Sequence, residues 1–155
     1  IKIFNNTQWQ NNISHLPQSS SLIDTSILEN IGYGQNIEDI DKVKAKNSAR
    51  HAEILNFIES TEDGFFTTIG ERGTRISGGQ RQRLSLAKAF YANKDIILLD
   101  EATNALNFDI EEKIYNNLKE ISKNKIILIV SHADKFEKFY DHIYRINNKK
   151  LELIK

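Results

Sequence analysis

Two adjacent carboxylates, Asp100 and Glu101, end an apolar run in the segment DIILLDEAT (residues 95–103). If this run is a buried strand, the acids lie at its carboxyl end, where open α/β sheets bind ligands. One carboxylate there can hold Mg²⁺ through its waters, and the next can orient or deprotonate a nucleophilic water. The alternative is a helix N-cap followed by a first-turn acid, which the helix dipole also favours.

A second candidate for chemistry is the glycine pair in ISGGQRQRL (residues 76–84). Ser77 followed by Gln80 three residues later is typical of a capping box at a helix start. Gly78 and Gly79 leave the first N–H groups of that helix open to a ligand. Such N–H groups, with the positive end of the helix dipole, form a site for a phosphate. An ordinary capped helix with a tight entry is the alternative.

This glycine-rich segment is not a phosphate-binding P-loop. Gly73 and Gly78 have the G-x-x-x-x-G separation, but Gly79 and Gln80 stand where the motif requires Lys and Ser or Thr. The lysine that reaches the β- and γ-phosphates is therefore missing from the motif.

His132 ends another apolar run, KIILIVSH (residues 125–132). A parallel strand beside the acidic one would bring His132 to the same sheet edge as Glu101. There it could bond a phosphate or an attacking water. A single histidine is more often structural, so its neighbours decide between the two interpretations.

Composition limits the possible classes of protein. The chain has 155 residues with 21 basic and 21 acidic side chains, so no bulk charge favours nucleic acid or anionic lipid. It has no cysteine, which excludes disulfides and fits a reducing compartment. Its longest purely apolar run, Ile126–Val130, is far shorter than the roughly 20 residues that span a bilayer. Because methionine is absent even at position 1, we expect a longer parent protein.

The elements that must position these residues follow from hydrophobic periodicity and turn signals. The patterns predict strands at 13–16, 95–100 and 125–132, helices at 24–31, 38–60, 79–91 and 109–121, a short helix after 132, and a terminal strand pair around the NNKK turn. Two buried strands separated by a helix predict a parallel α/β sheet. Residues 19–90 lack strand signals and are predicted to be a mostly helical insertion.

In this order, the motifs resemble the nucleotide-binding domain of ATP-binding-cassette (ABC) transporters. ISGGQRQR resembles the LSGGQ signature with Ile76 for Leu, DIILLDEAT the Walker B strand, and Ser131-His132 the switch-histidine loop. SHLPQSSSLIDTSILENI resembles the Q-loop, with Gln18 as its glutamine, and TTIGERG the X-loop of exporters. The resemblance covers nearly the whole chain.

The resemblance implies an α/β fold of the P-loop NTPase (RecA-like) class, here a partial ABC ATPase core with a helical signature subdomain. The helical subdomain would span about 19–90, and residues 1–18 and 91–155 would belong to the RecA-like core. The Walker A loop and the transmembrane domain would lie upstream. We therefore expect the 155-residue chain alone to bind ATP poorly and to be inactive.

The resemblance also implies roles for individual residues. Catalytic roles would fall to Glu101 as general base, His132 at the γ-phosphate, and Gln18, which reaches the Mg²⁺ or the water. Asp100 would hold Mg²⁺ together with Gln18. Glu71 in the X-loop would lie near the loops that pass motion to the membrane helices.

The glycine pair belongs to a split site in this family. Ser77, Gly78, Gly79 and Gln80 would face the γ-phosphate of an ATP held by the Walker A loop of a second nucleotide-binding domain. The missing lysine would then belong to a different loop, expected upstream of Ile1.

Two motifs depart from the family pattern. The D-loop usually reads Ser-Ala-Leu-Asp, whereas this chain has Asn104, Ala105, Leu106 and Asn107. The missing charge at Asn107 bears on communication between the two ATP sites more than on the chemistry. The family commonly has Arg after the switch histidine, where this chain has Ala133.

The expected function is ATP hydrolysis coupled to export or flipping of a substrate, at the cytoplasmic face of the plasma (inner) membrane. ATP and Mg²⁺ are the expected cofactors, and a lipid or lipid-linked saccharide is the preferred substrate class. A second nucleotide-binding domain and a transmembrane domain are the expected partners, without nucleic acid. The alternatives are a soluble ABC-type ATPase and a truncated cassette without enzymatic activity.

Overall fold

Three parallel strands position the candidate site. The computed structural model describes residues 11–18, 21–132 and 134–155. The strands β1 (Ile13–Leu16), β2 (Ile96–Asp100) and β3 (Ile126–Val130) form one sheet in the order β1-β2-β3. Leu16 pairs with Leu99, and Asp100 pairs with Val130. The predicted parallel α/β sheet is confirmed, and β1 ends directly before Pro17 as expected.

The two faces of this sheet have different surroundings. Leu16, Ile97 and Leu99 point to the buried face and belong to the core. On the opposite face Ile126 is 67% exposed and Leu128 56% exposed. Parallel sheets are normally covered on both faces. The chain therefore presents an apolar sheet face that its own described elements do not cover.

Helices fill the segment between β1 and β2. Helix α1 (Ile27–Ile31) starts with the predicted capping box of Ser26 and Glu29. Helices α2 (Lys42–His51) and α3 (Leu55–Ser60) follow, and α4 (Gly78–Ala92) leads to β2. The bounds expected for the helical subdomain, about 19–90, and for the RecA-like core stay a prediction.

The single helix predicted over 38–60 is wrong. Asp41 caps α2, a separate 3₁₀ turn precedes it, and the chain breaks at Glu53, which has the left-handed φ of 57°. Arg83 donates to the Glu53 carbonyl, and Asn117 donates to the Glu53 carboxylate at 3.0 Å. Arg83 thus satisfies a backbone carbonyl that a continuous helix would have paired internally, and Asn117 does the same for the His51 carbonyl at 3.0 Å. The apolar spacing continues across the break, since Ala49, Ala52 and Ile58 are all fully buried.

Helix α4 is the central packing element. Its buried residues include Leu84 and Ala87, and it packs against α2, where Ala45 and Ala49 are fully buried. The alanines allow close approach of the two helices. The hydroxyl of Ser14 donates to the Ala89 carbonyl at 3.2 Å and links α4 to β1.

Helix α5 (Phe108–Ile121) carries an aromatic cluster. Tyr115 stacks on Phe136 with ring centroids 4.4 Å apart, and the Tyr140 hydroxyl donates to the Tyr115 hydroxyl at 3.0 Å. Phe136 lies in a 3₁₀ segment, Asp134–Phe139, where a short helix was predicted. The cluster holds the segment after β3 against α5.

The terminal hairpin is confirmed. Strands β4 (Tyr144–Asn147) and β5 (Lys150–Leu153) pair antiparallel, and the turn residues Asn148 and Lys149 both have positive φ. Two positive φ values are typical of a type I′ turn. Both strands are exposed along their whole length. Among the described helices, none is long and apolar enough to cross a membrane.

Leu84→Ala should destabilise α4, because Leu84 is fully buried in the core. We expect the opening free energy of α4 amides, measured by native-state hydrogen exchange, to fall by about 2–5 kcal/mol. The control is Val43→Ala, at a position that is 71% exposed. Equal effects of the two substitutions would contradict the assignment of α4 to the core.

Tyr140 makes stability depend on pH in the alkaline range. Burial and then the Tyr115 hydrogen bond raise the pKa of the Tyr140 hydroxyl above its ordinary value. The unfolded chain therefore loses this proton first, so the free energy of unfolding should fall as pH rises above about 10. In Tyr140→Phe, denaturant melts between pH 9 and 11 should show a shallower decline. An unchanged slope would contradict the prediction.

Candidate functional site

Glu101 is the centre of the candidate site. Its carboxylate accepts hydrogen bonds from the Gln18 amide at 2.7 Å and from the Asn104 amide at 2.7 Å, both on Oε2. His132 Nε2 lies 2.9 Å from the other oxygen, Oε1. The Glu101 side chain is only 14% exposed, whereas that of His132 is 86% exposed. A mostly buried carboxylate is thus in contact with an imidazole that is largely exposed to solvent.

The parallel sheet explains why these residues meet. Gln18 follows β1 after Pro17, Glu101 follows β2, and His132 lies two residues after β3. Because the strands are parallel and adjacent in the order β1-β2-β3, their carboxyl ends share one edge. The sequence predicted that His132 and Glu101 would share this edge, and the 2.9 Å contact confirms that placement.

The backbone of Glu101 is unusual. Its φ of 49° is left-handed, which costs a non-glycine residue roughly 1–2 kcal/mol. Its N–H donates to the Val130 carbonyl at 3.0 Å, which extends the β2–β3 ladder by one residue. With this conformation the chain leaves the sheet at Glu101, and the Glu101 side chain contacts residues that follow β1 and β3.

Asp100 is the last residue of β2 and is half-buried. The alternation of β2 places it on the same sheet face as Leu98, whereas Glu101 lies beyond the strand. Asp100 and Glu101 therefore belong to one edge but face different surroundings. Such a division suits two separate tasks for adjacent carboxylates.

The glycine pair begins α4 as predicted. The Ser77 hydroxyl accepts from the Gln80 N–H at 3.2 Å, and the Gln80 side-chain oxygen accepts from the Ser77 N–H at 2.7 Å. This capping box uses the N–H groups of Ser77 and Gln80 and leaves those of the two glycines at the helix start. We call residues 77–80 the signature segment.

The chain's own packing does not require glycine at either position. A Cβ added to Gly79 would meet Leu106 Cδ2 at 3.5 Å and the Ala105 carbonyl at 3.6 Å, which are ordinary contacts. A Cβ at Gly78 would meet only the Arg81 guanidinium, at 3.7 Å. Neither glycine has the left-handed φ that favours its type. The open surface at these residues therefore fits the approach of something outside the chain.

The loop between β2 and α5, residues 101–107, joins the two candidate regions. Gly79 faces Ala105 and Leu106 of this loop, and Asn104 contacts Glu101. The Asn107 side chain accepts from the Ile110 N–H at 3.0 Å and caps α5. Asn107, which lacks the charge of the family's Asp, thus acts within its own chain as a helix cap.

Sequence reasoning missed one member of the site. The Gln82 amide donates to the Glu101 carbonyl at 3.2 Å and accepts from the Ala105 N–H at 3.0 Å. The only signal in the sequence was its position, one helical turn after Gly78 and on the same side of α4. In the sequence Asn104 stands out as a departure from the D-loop pattern, but nothing there indicates that it binds Glu101.

Glu71 lies apart from this cluster in its contacts. It is exposed and begins a 3₁₀ turn, Glu71–Gly73, after Gly70, which has a φ of 76°. Thr68 just before it forms a bridge with Ser26 at the start of α1. Within residues 11–18, 21–132 and 134–155, the Glu101 carboxylate contacts Gln18, Asn104 and His132, and Glu71 is not among these partners. Ala133 lies outside the residues that the structure describes.

Known proteins share both the sequence and this fold. The chain is 39% identical over 132 residues to ABC transporter B family member 6 of Dictyostelium discoideum, covering 85% of this chain and 19% of the relative. It is equally identical over the same length to the ATP-dependent lipid A-core flippase of Hahella chejuensis, covering 85% of this chain and 22% of that protein. The chain thus spans about a fifth of these curated relatives.

A solved structure agrees with these sequence matches. A bacterial Atm1-family ABC exporter with ATP bound superposes with a TM-score of 0.85 at 29% identity, covering 94% of this chain and 25% of that one. The sequence model of the ABC transporter family matches residues 2–104, two thirds of the chain. The chain has the P-loop NTPase fold of an ABC ATPase domain, in part, and it belongs to the ABC transporter family.

Proposed function

We propose that this chain is the part of an ABC exporter's ATPase domain that carries the hydrolytic residues. The observation that supports it most is the convergence of Gln18 and His132 on the Glu101 carboxylate at the carboxyl edge of three parallel strands. A capped helix that merely carried a first-turn acid would not need partners from two other strands. The names of the relatives, exporter and flippase, favour transport over the soluble alternative.

Glu101 is the proposed general base. It would accept a proton from the attacking water on Oε1, the oxygen that His132 contacts when the site is at rest. Because His132 is highly exposed, it can leave Glu101 for a phosphate oxygen with little loss of buried surface. The Gln18 and Asn104 amides would keep Oε2 fixed during this exchange. The base would thus change one partner and keep its orientation.

The donors at the edge fit a magnesium ion held partly by a nucleotide. Mg²⁺ in such sites takes one or two protein ligands, with phosphate oxygens and water completing its shell. Asp100 supplies a carboxylate, and Gln18 supplies an amide oxygen. No group of three or more acidic, histidine or cysteine side chains among the described residues could hold a metal alone. Bound Mg²⁺-ATP would supply the reacting phosphate and neutralise its charge.

The signature segment is the proposed contact to a second nucleotide-binding domain. Ser77, Gly78, Gly79 and Gln80 would face the γ-phosphate of an ATP that the partner holds. The glycines that the chain's own packing leaves open support this assignment. The N–H groups at the start of α4 would stabilise charge that develops on the phosphate during transfer.

The uncovered sheet face and the exposed hairpin support a larger assembly. Ile126, Leu128 and the β4–β5 strands would pack against further parts of the ATPase domain. Glu71 would lie towards a transmembrane domain, with the ATPase at the cytoplasmic face of the membrane. A lipid or lipid-linked saccharide is the proposed substrate class. The same exposed surfaces would make the isolated chain a poor enzyme.

Glu101→Gln tests the proposed base. The amide has the same shape but cannot accept the proton, so ATP hydrolysis by the complete protein should fall roughly 10²–10⁴-fold. Binding of a fluorescent ATP analogue should be retained. Glu59→Gln, which changes an exposed carboxylate paired with Lys46, is the matched control and should hydrolyse ATP at the original rate. Undiminished hydrolysis in Glu101→Gln would overturn the assignment.

Gly79→Ala separates a phosphate site from an ordinary capped helix. The added methyl fits inside the chain, and Ala favours helix more than Gly does, so protection of α4 amides should be equal or higher. If a phosphate must approach this position, hydrolysis should nevertheless fall roughly tenfold or more. A variant with intact protection and intact hydrolysis would support the ordinary capped helix.

A further inference from the structure

One side chain of α4 holds both ends of the turn that carries Glu101. Gln82 donates from Nε2 to the Glu101 carbonyl at 3.2 Å, and its Oε1 accepts from the Ala105 N–H at 3.0 Å. Both partners are backbone groups of the 101–107 loop. Glutamine is suited to this task because its amide carries a donor and an acceptor side by side.

The groups that Gln82 binds belong to a strained turn. Glu101 has a left-handed φ of 49°, a conformation that persists only where surrounding contacts hold it. Its N–H is held by Val130, and its carbonyl is held by Gln82 and, at 3.3 Å, by the Asn104 N–H. The backbone on both sides of the Glu101 side chain is therefore fixed, from β3 on one side and from α4 on the other.

The same helix begins with the signature segment. Gln82 lies one turn after Gly78 and Gly79, so a shift or rotation of the start of α4 carries the Gln82 amide with it. Gly79 also faces Ala105 and Leu106. The loop that holds Glu101 and Asn104 is thus attached to the element that would contact a partner's nucleotide.

We infer that Gln82 is a positioning residue that sets the orientation of Glu101 and couples it to the signature segment of the same chain. This inference rests on the proposed function, in which the two regions serve different nucleotides. Movement of α4 on binding one nucleotide would move the Glu101 carbonyl and the Ala105 N–H together. Gln82 would in this way let one ATP site adjust the base of the other.

The test compares Gln82→Met and Gln82→Glu in the complete protein. Methionine keeps the length of the side chain and removes both hydrogen bonds. Glutamate keeps the acceptor for Ala105 but places a carboxylate oxygen against the Glu101 carbonyl. We expect both variants to lower kcat for ATP roughly 10- to 100-fold, since small misplacements of a catalytic group have effects of this size. The KM for ATP should stay within about twofold of the original.

A direct measurement of the turn accompanies the kinetics. Hydrogen exchange at the Ala105 amide should become faster in Gln82→Met, while the core amides of α4 stay protected. Asn116→Ala, which removes an exposed amide that donates to the Glu112 carbonyl of its own helix, is the control and should change neither readout. This measurement does not depend on catalytic turnover.

The outcomes separate the two proposals. An unchanged kcat in Gln82→Met, in a protein whose Glu101→Gln variant is inactive, would overturn the inference and leave the proposed function in place. A fall in kcat that comes with lost protection throughout α4, or with a large rise in KM, would also overturn it, because Gln82 would then act only through the fold. If Glu101→Gln hydrolysed ATP at the original rate, the proposed function itself would be overturned.

Discussion

Parallel pairing of three short strands is the constraint on which the rest of this structure depends. The register aligns Leu16 with Leu99 and Asp100 with Val130, so the chain leaves all three strands at one edge. Everything that contacts the Glu101 carboxylate reaches it from that edge or from the loop that follows it. A slip of one residue in β2 would turn Ile97 and Leu99 out of the core as well as displacing Glu101. Stability of the core and geometry of the site are therefore set by the same register.

Helix α4 connects that edge to the rest of the chain. Its buried side packs on α2, its last turn binds β1 through Ser14, and Gln82 near its start holds the turn after β2. Because Gly78 and Gly79 begin this helix and Gln82 lies one turn later, a shift of the helix start also moves the Gln82 side chain.

Much of the architecture could be predicted from the sequence. Apolar runs ending in Asp-Glu and Ser-His are local signals, and the parallel arrangement follows once a helix separates two such runs. The break at Glu53 could not be predicted, because the apolar spacing continues through it. Its cause lies in Arg83 and Asn117, which are remote in the sequence. Only the fold brings those side chains to the break.

As with the fold, part of the candidate site could be predicted from the sequence. The types of Glu101 and His132 and their places after strands pointed to one edge, whereas Gln18 was indicated only by the resemblance to the Q-loop. Gln82 was not predictable, because a polar residue in the first turns of a helix usually lies in solvent. Nor does anything about a glutamate indicate a left-handed φ. Both features depend on tertiary contacts with the 101–107 loop.

The hydrogen bond from Gln18 to Glu101 joins residues 83 positions apart, and it has a consequence for how the protein folds. Contacts within α1, α2 and α3 are local and can form early, whereas β1 must wait for the whole helical segment to be traversed before it meets β2. The edge that carries Glu101 thus depends on a long-range contact, whose formation is opposed by the entropy of closing a long loop. Substitutions that weaken the pairing of β1 with β2 would therefore act on this edge more than on the local contacts within the helices.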